Sequence, residues 1–181
     1  MAVKTFTSTT LSVADTNTYL ANSGLVYVST TTWTAGATSI PVTSCFSSTY
    51  DNYRIIVNIE SNSGGSSHSI ALNGITTLYY VSGHFFSWGS AGATAYSPIV
   101  QSAWIVSANN ANGFGCQMVL DIINPFRTLV TTGSVMSNAA NGSAIFQLIN
   151  SNTTSSTGFT ITKAGDTMTG GSVVVYGYRK A

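Results

Sequence analysis

The chain has 181 residues, of which 44% are hydrophobic and only 6% charged, with a formal net charge of +1. That length suits one domain with a sizeable core, and the balance excludes the disordered class, which combines low hydrophobicity with high charge. The six cations, Lys4, Arg54, Arg127, Lys163, Arg179 and Lys180, are spread from end to end and form no stripe able to track phosphates, so nucleic acid is excluded as a partner.

In chain order, the N-terminal stretch MAVKTFTSTTL lacks a long apolar core, which points to cytosolic synthesis without export. No run approaches the 18 or so apolar residues of a membrane span. Ser12-Val13-Ala14-Asp15 has the spacing of a capping box and Asn22-Ser23-Gly24 supplies a stop, which predicts a short helix from about Val13 to Ala21. Its apolar stripe of Val13, Leu20 and Ala21 is too narrow for a core helix and suits an arm that docks on a neighbour or on the body. Gly24 to Thr34 reads as an extended segment. Residues 1–38 are thus expected to form an attachment arm and residues 39–181 a β-sandwich.

Over residues 54–60, Ile55, Val57 and Ile59 alternate with Arg54, Asn58 and Glu60, as a half-buried strand requires. Further runs at His68–Leu72, Thr77–Ser82, Ala103–Ala108, Gly115–Ile123, Leu129–Ser137, Ala144–Ile149, Gly158–Lys163 and Ser172–Tyr178 recur at roughly ten-residue spacing. Asn73-Gly74, Asn112-Gly113, Asn141-Gly142 and Gly170-Gly171 punctuate them with residues that tolerate positive φ. The expectation is an all-β fold, an antiparallel sandwich or jelly roll of about nine strands behind a short helix-containing arm. No heptad run, collagen-like period or solenoid repeat interrupts it.

Little in the chain carries chemistry. Cys45 and Cys116 have no second Cys or His at metal-ligand spacing and read as two buried thiols. His68 or His84 can be combined on paper with Asp51, Asp121 or Asp166 and a serine, but there is no G-x-S-x-G elbow, calcium loop, P-loop or dinucleotide fingerprint. A catalytic site, a metal and a cofactor are therefore not expected. The densest feature is residues 78–89, LYYVSGHFFSWG, where Tyr79, Tyr80, His84, Phe85, Phe86 and Trp88 are crowded between glycines. Flat rings of this kind fill a core or an interface between copies, or contact a receptor such as a host surface glycan.

The segment TLSVADTNTYL over residues 10–20 resembles the "L-T-A-A-D-x-N-T-Y-L" opening of many phage tail and other minor virion proteins, with mild departures at Ser12 and Val13. The body resembles phage structural modules that begin near a "Y-x-D/N-Y/L-R-h-h-h" strand and close on "G-G/S-x-h-x-L/V-Y-G". The corresponding stretches here are TYDNYRIIV at residues 49–57 and TGGSVVVYGY at residues 169–178, with LDIINP at residues 120–125 between them.

The resemblance implies a non-enzymatic virion protein of tailed bacteriophages, often trimeric. It would serve as a tail-associated fibre or receptor-binding component held to other virion proteins through Leu11, Val13, Asp15, Asn17, Tyr19 and Leu20. A capsid decoration or head-fibre protein is the alternative, and a lectin-like or glycan-hydrolysing module a third reading. A first strand near Arg54 that pairs with the last strand would bring the two chain ends near each other.

Overall fold

A computed structural model describes residues 24–89, 92–97, 101–108 and 111–180. Among these there are twelve strands and no helix. The first six are β1 (Leu25–Trp33), β2 (Ser39–Val42), β3 (Asn52–Asn62), β4 (His68–Leu72), β5 (Tyr79–Ser87) and β6 (Ala93–Tyr96). The others are β7 (Trp104–Ile105), β8 (Cys116–Ile123), β9 (Thr131–Ala139), β10 (Gly142–Asn150), β11 (Phe159–Lys163) and β12 (Met168–Tyr178). The helix expected over Val13–Ala21, and with it Leu11, Val13, Asp15, Asn17, Tyr19 and Leu20, lies outside the described residues.

Two antiparallel sheets result. One has eight strands in the order β1-β12-β3-β8-β9-β10-β5-β6, the other four in the order β2-β11-β4-β7. The segment expected to be extended over Gly24–Thr34 is β1, a full member of the larger sheet that pairs with β12 from Leu25↔Tyr178 to Trp33↔Gly171. β12 is flanked on its other side by β3, so the strand containing Arg54 does pair with the last one. The Arg179 N–H donates to the Gly24 carbonyl at 3.0 Å, which brings the two ends of the described chain together.

The strand count exceeds the expected nine because three strands carry weak local signals. β1 is largely Ser and Thr in its second half. β2 is four residues long and contains Pro41, which is tolerated because β2 is an edge strand. β6, Ala93–Tyr96, has no apolar alternation and forms the far edge of the eight-stranded sheet. Gly170 and Gly171 also differ from expectation. They lie inside β12 and do not turn the chain; Gly171, at φ 149°, lets the Trp33 ring lie against the strand where a Cβ would overlap it.

The inner faces of both sheets supply one continuous cluster. β3 contributes Tyr53, Ile55, Val57 and Ile59, and β12 contributes Val173 and Val175; from the smaller sheet come Ile40, Val42, Ile70, Leu72, Phe159 and Ile161. Each fully buried aliphatic side chain of this kind is worth roughly 1.5–3 kcal/mol relative to exposure.

Aromatic contacts tie the layers. Tyr79 meets Trp104 edge-on at 5.2 Å, and Phe46 lies 4.7 Å from Tyr53 and 5.7 Å from Phe159. Their polar atoms are satisfied as burial demands. The Tyr79 hydroxyl accepts from the Leu72 N–H at 2.8 Å and donates to the Ile75 carbonyl at 3.1 Å, and Trp104 Nε1 donates to the Ile149 carbonyl at 2.9 Å.

Candidate functional site

The aromatic segment is divided by the pleat of β5. Tyr79 and Val81 are buried, and Phe85 turns inward to pack edge-on against Phe146 at 5.0 Å and Tyr96 at 5.1 Å. Tyr80, His84, Phe86 and Trp88 are all exposed, with Trp88 at 63%. Gly83 sits at the middle of this strand, where a Cβ would overlap the Ile145 carbonyl of the neighbouring β10. Trp88 is held despite its exposure, because its Nε1 donates to the Ala139 carbonyl at 3.0 Å.

Cross-strand register carries the exposed rings into a larger surface. His84 stands opposite Ile145, Ile145 opposite Met136, Met136 opposite Val119, Val119 opposite Ile56 and Ile56 opposite Val174. These five pairings draw one row of six residues across the outer face of the eight-stranded sheet. Within it Ile56, Val119, Ile145 and Met136 are 40–57% exposed. A second apolar row runs through Ile123, Thr132, Ile149 and Tyr80.

Polar rows flank the first one on both sides. On one side are Asn58, Gln117, Asn138 and Ser143; on the other Arg54, Asp121, Ser134, Gln147 and Ser82. Arg54 binds Asp121 bidentately, Nε to Oδ1 at 2.9 Å and Nη2 to Oδ2 at 2.7 Å, and the Tyr178 hydroxyl donates to Oδ1 at 2.6 Å. The Arg54 bonds hold the Asp121 carboxyl below the usual carboxylate range. The pair neutralises itself, so this row has hydrogen-bonding capacity without net charge. The outer face of the four-stranded sheet differs in kind. It shows Ser39, Pro41, Ser69, Ala71, Thr160 and Thr162, with no large apolar side chain fully exposed.

A polar cluster of another sort is sealed inside. His68 Nδ1 lies 2.9 Å from Ser107 Oγ and Nε2 lies 2.8 Å from Asn62 Oδ1, all three residues being buried. Asn62 Nδ2 donates to the Phe114 carbonyl at 2.8 Å, which fixes Oδ1 as the atom facing the ring. Nε2 must therefore carry the proton, and Nδ1 of the neutral ring shares the Ser107 hydroxyl proton with the Ala108 carbonyl, 3.0 Å from Oγ, while Oγ accepts the His68 backbone N–H at 2.9 Å. Burial drives the His68 pKa down to about 3 and the Cys116 thiol beside this group up to about 12.

Lys163 is equally buried. Its Nζ donates to the Ser66 carbonyl at 2.5 Å and lies 3.7 Å from Asp166 Oδ2. With no solvent path to Ser107 Oγ, the chemistry available to this cluster is that of a hydrogen-bonded brace between β4 and the chain around residues 107 and 114.

The acids paired on paper with histidines have other partners. Asp121 holds Arg54; Asp51 lies 3.0 Å from Lys180 Nζ and 3.3 Å from Arg127 Nη1; Asp166 accepts from the Ser66 hydroxyl and N–H. Among the described residues no group of three or more His, Cys, Asp or Glu is placed to hold a metal ion. Nor is any helix there long and apolar enough to cross a membrane.

Comparison with protein-family models, curated proteins and solved structures returns no match. The outer sheet face is thus the feature on which a functional reading rests. Sequence reasoning singled out its β5 edge but missed its centre. Val119 sits in β8, where six apolar residues exceed the four inward positions, and that surplus is the signal that could have found it; β9 and β10 carry no such surplus to mark Met136 and Ile145. The buried Lys163 had a signal too, since it shares a period-2 face with Phe159 and Ile161.

Proposed function

We propose that this chain is a non-enzymatic structural protein of a tailed-bacteriophage virion, working as a homotrimer in a tail-associated fibre or receptor-binding component. The residues before Gly24 attach it to other virion proteins. The observation that carries this reading is the nearly uncharged outer face of the eight-stranded sheet. So large an apolar surface on a folded domain is a surface to be covered, and assembly covers it.

The strand order supports it. With β9-β10 and β5-β6 taken as additions to one sheet, β1-β12-β3-β8 faces β2-β11-β4-β7. Chain order then changes sheet at every step except β4 to β7, in the manner of a jelly roll, the two-Greek-key fold common in viral capsid proteins and lectins. Fold alone leaves function open, so the sequence resemblance at residues 10–20 and 49–57 carries the choice of a phage particle.

A second reading, a capsid decoration or head-fibre protein, is favoured by one specific feature. The described residues form two sheets over a single core, with no shaft. A lectin-like role remains tied to the exposed Tyr80, Phe86 and Trp88. Immunogold labelling of purified particles with antibody against the chain tests the proposal: label on the tail supports the fibre reading, label on the shell the decoration reading, and particles without label overturn both. Glycan-array binding and sugar-release assays test the rest, since cleavage of an oligosaccharide would end the non-enzymatic reading.

A further inference from the structure

We infer that the outer face of the eight-stranded sheet, centred on the row Ile56-Val119-Met136-Ile145, is the surface through which copies of this chain pack against each other. The inference rests on the assembly reading above and names the surface that reading leaves open.

Four observations select a second copy as the occupant. The first is area. Six strands at about 4.8 Å spacing and four rows of outward side chains at about 6.8 Å give a patch of roughly 800 Å², which is what each partner contributes to a stable interface of standard size. The second is charge. The Arg54–Asp121 pair is internally neutralised, so burying these four rows strands no unpaired ion, and the exposed Glu60 of β3 lies one outward position beyond the Asn58 row, at the rim.

The third is pattern. Polar rows flank the apolar row on both sides, so a neighbouring copy packed across the face meets apolar side chains at Met136 and Ile145 and finds hydrogen-bonding amides at Asn58, Gln117 and Gln147 along the margins. The fourth is contrast. The four-stranded sheet of the same molecule turns mainly Ser, Thr and Pro outward, with Ala71 and the half-buried Ile105, so the large exposed apolar side chains of the two outer faces fall on the eight-stranded sheet.

Met136 and Ile145 are directly opposed and exposed, at 57% and 47%, so charge can be introduced there without entering the core. Light scattering at high micromolar concentration should give the native chain a mass of two or more copies. Met136→Lys and Ile145→Lys should each give the mass of one, with unchanged far-ultraviolet circular dichroism. Thr43→Lys, exposed beyond β2 on the other sheet, should behave as the native chain.

Cross-linking gives an independent measure. Cys45 and Cys116 are buried, so a bis-maleimide should join copies of Met136→Cys and leave Thr43→Cys as single chains. A native chain of single-copy mass, a native-like mass for both lysine variants, or links formed by Thr43→Cys but not by Met136→Cys would each overturn the inference. Failure here is separable from failure of the virion reading. A single-copy chain that still labels particles sinks the packing face alone, whereas an assembling chain absent from particles sinks the virion reading alone.

Discussion

The Nε2 of His68 lies 2.8 Å from the Oδ1 of Asn62, and neither side chain reaches solvent. The ring must be neutral to stay there, and its pKa is pushed from the ordinary 6.5 down to about 3 by burial and by the nearby Lys163 ammonium, with Asp166 opposing. Between those two values the unfolded chain binds a proton that the folded chain does not. Stability from this group is therefore complete above pH 6.5 and is lost as pH falls toward 3. At pH 4.5 the loss should be about 2–3 kcal/mol. Urea unfolding at pH 7 and pH 4.5 checks this, with His68→Gln, which keeps hydrogen-bonding capacity but cannot titrate, expected to flatten the difference.

Removal of a single oxygen should be costly at Tyr79. The hydroxyl satisfies the buried Leu72 N–H, which has no route to water once it is gone. Tyr79→Phe should lower stability by about 1–3 kcal/mol. The same change at the exposed Tyr80 should stay within about 0.5 kcal/mol. Equilibrium denaturation of the two variants side by side decides it.

Gly171→Ala tests how the β1 edge is seated. A Cβ at that position meets the Asn58 carbonyl and the Trp33 ring, and φ is 149°. The substitution should cost more than about 1 kcal/mol. It should also increase Trp33 fluorescence quenching by iodide, because the ring must leave the strand. An unchanged melting temperature and an unchanged spectrum would refute this seating.

Both thiols should be silent in the folded protein. Burial pushes Cys45 and Cys116 up to about 12, which leaves almost no thiolate at neutral pH and no path for a reagent to reach it. Labelling by an aromatic disulfide should appear only as urea unfolds the chain, with two equivalents released together. Modification of either in native buffer would contradict the burial described.

Local alternation was readable where one face is apolar and the other is not. β4 falls on His68–Leu72 as expected, and Ile55, Val57 and Ile59 point inward from β3. The outer apolar row was not readable for a physical reason. Ile56, Val119, Met136 and Ile145 come from four different strands, Ile56 from one distant in sequence and the others from three successive ones, and only the registers Ile56↔Val119, Val119↔Met136 and Met136↔Ile145 align them. The brace around His68 escaped for a related reason. Asn62 ends one strand and Ser107 follows β7, so nothing local announces that either meets the ring. The aromatic run at residues 78–89 was legible as a feature, but its division into core and surface depended on the phase of the pleat around Gly83.

The bond between the Arg179 N–H and the Gly24 carbonyl bears on reach. It fixes one tether point at the β1–β12 side of the larger sheet, and seven inter-strand steps of about 4.8 Å each separate β1 from β6, a span of about 34 Å. The sheet therefore works as a crossbar. Whatever is joined at Gly24 or Arg179 is carried at one end of it, while Phe86 and Trp88 are held out toward the other. A label or fused domain placed at the tether should leave that far edge unshadowed.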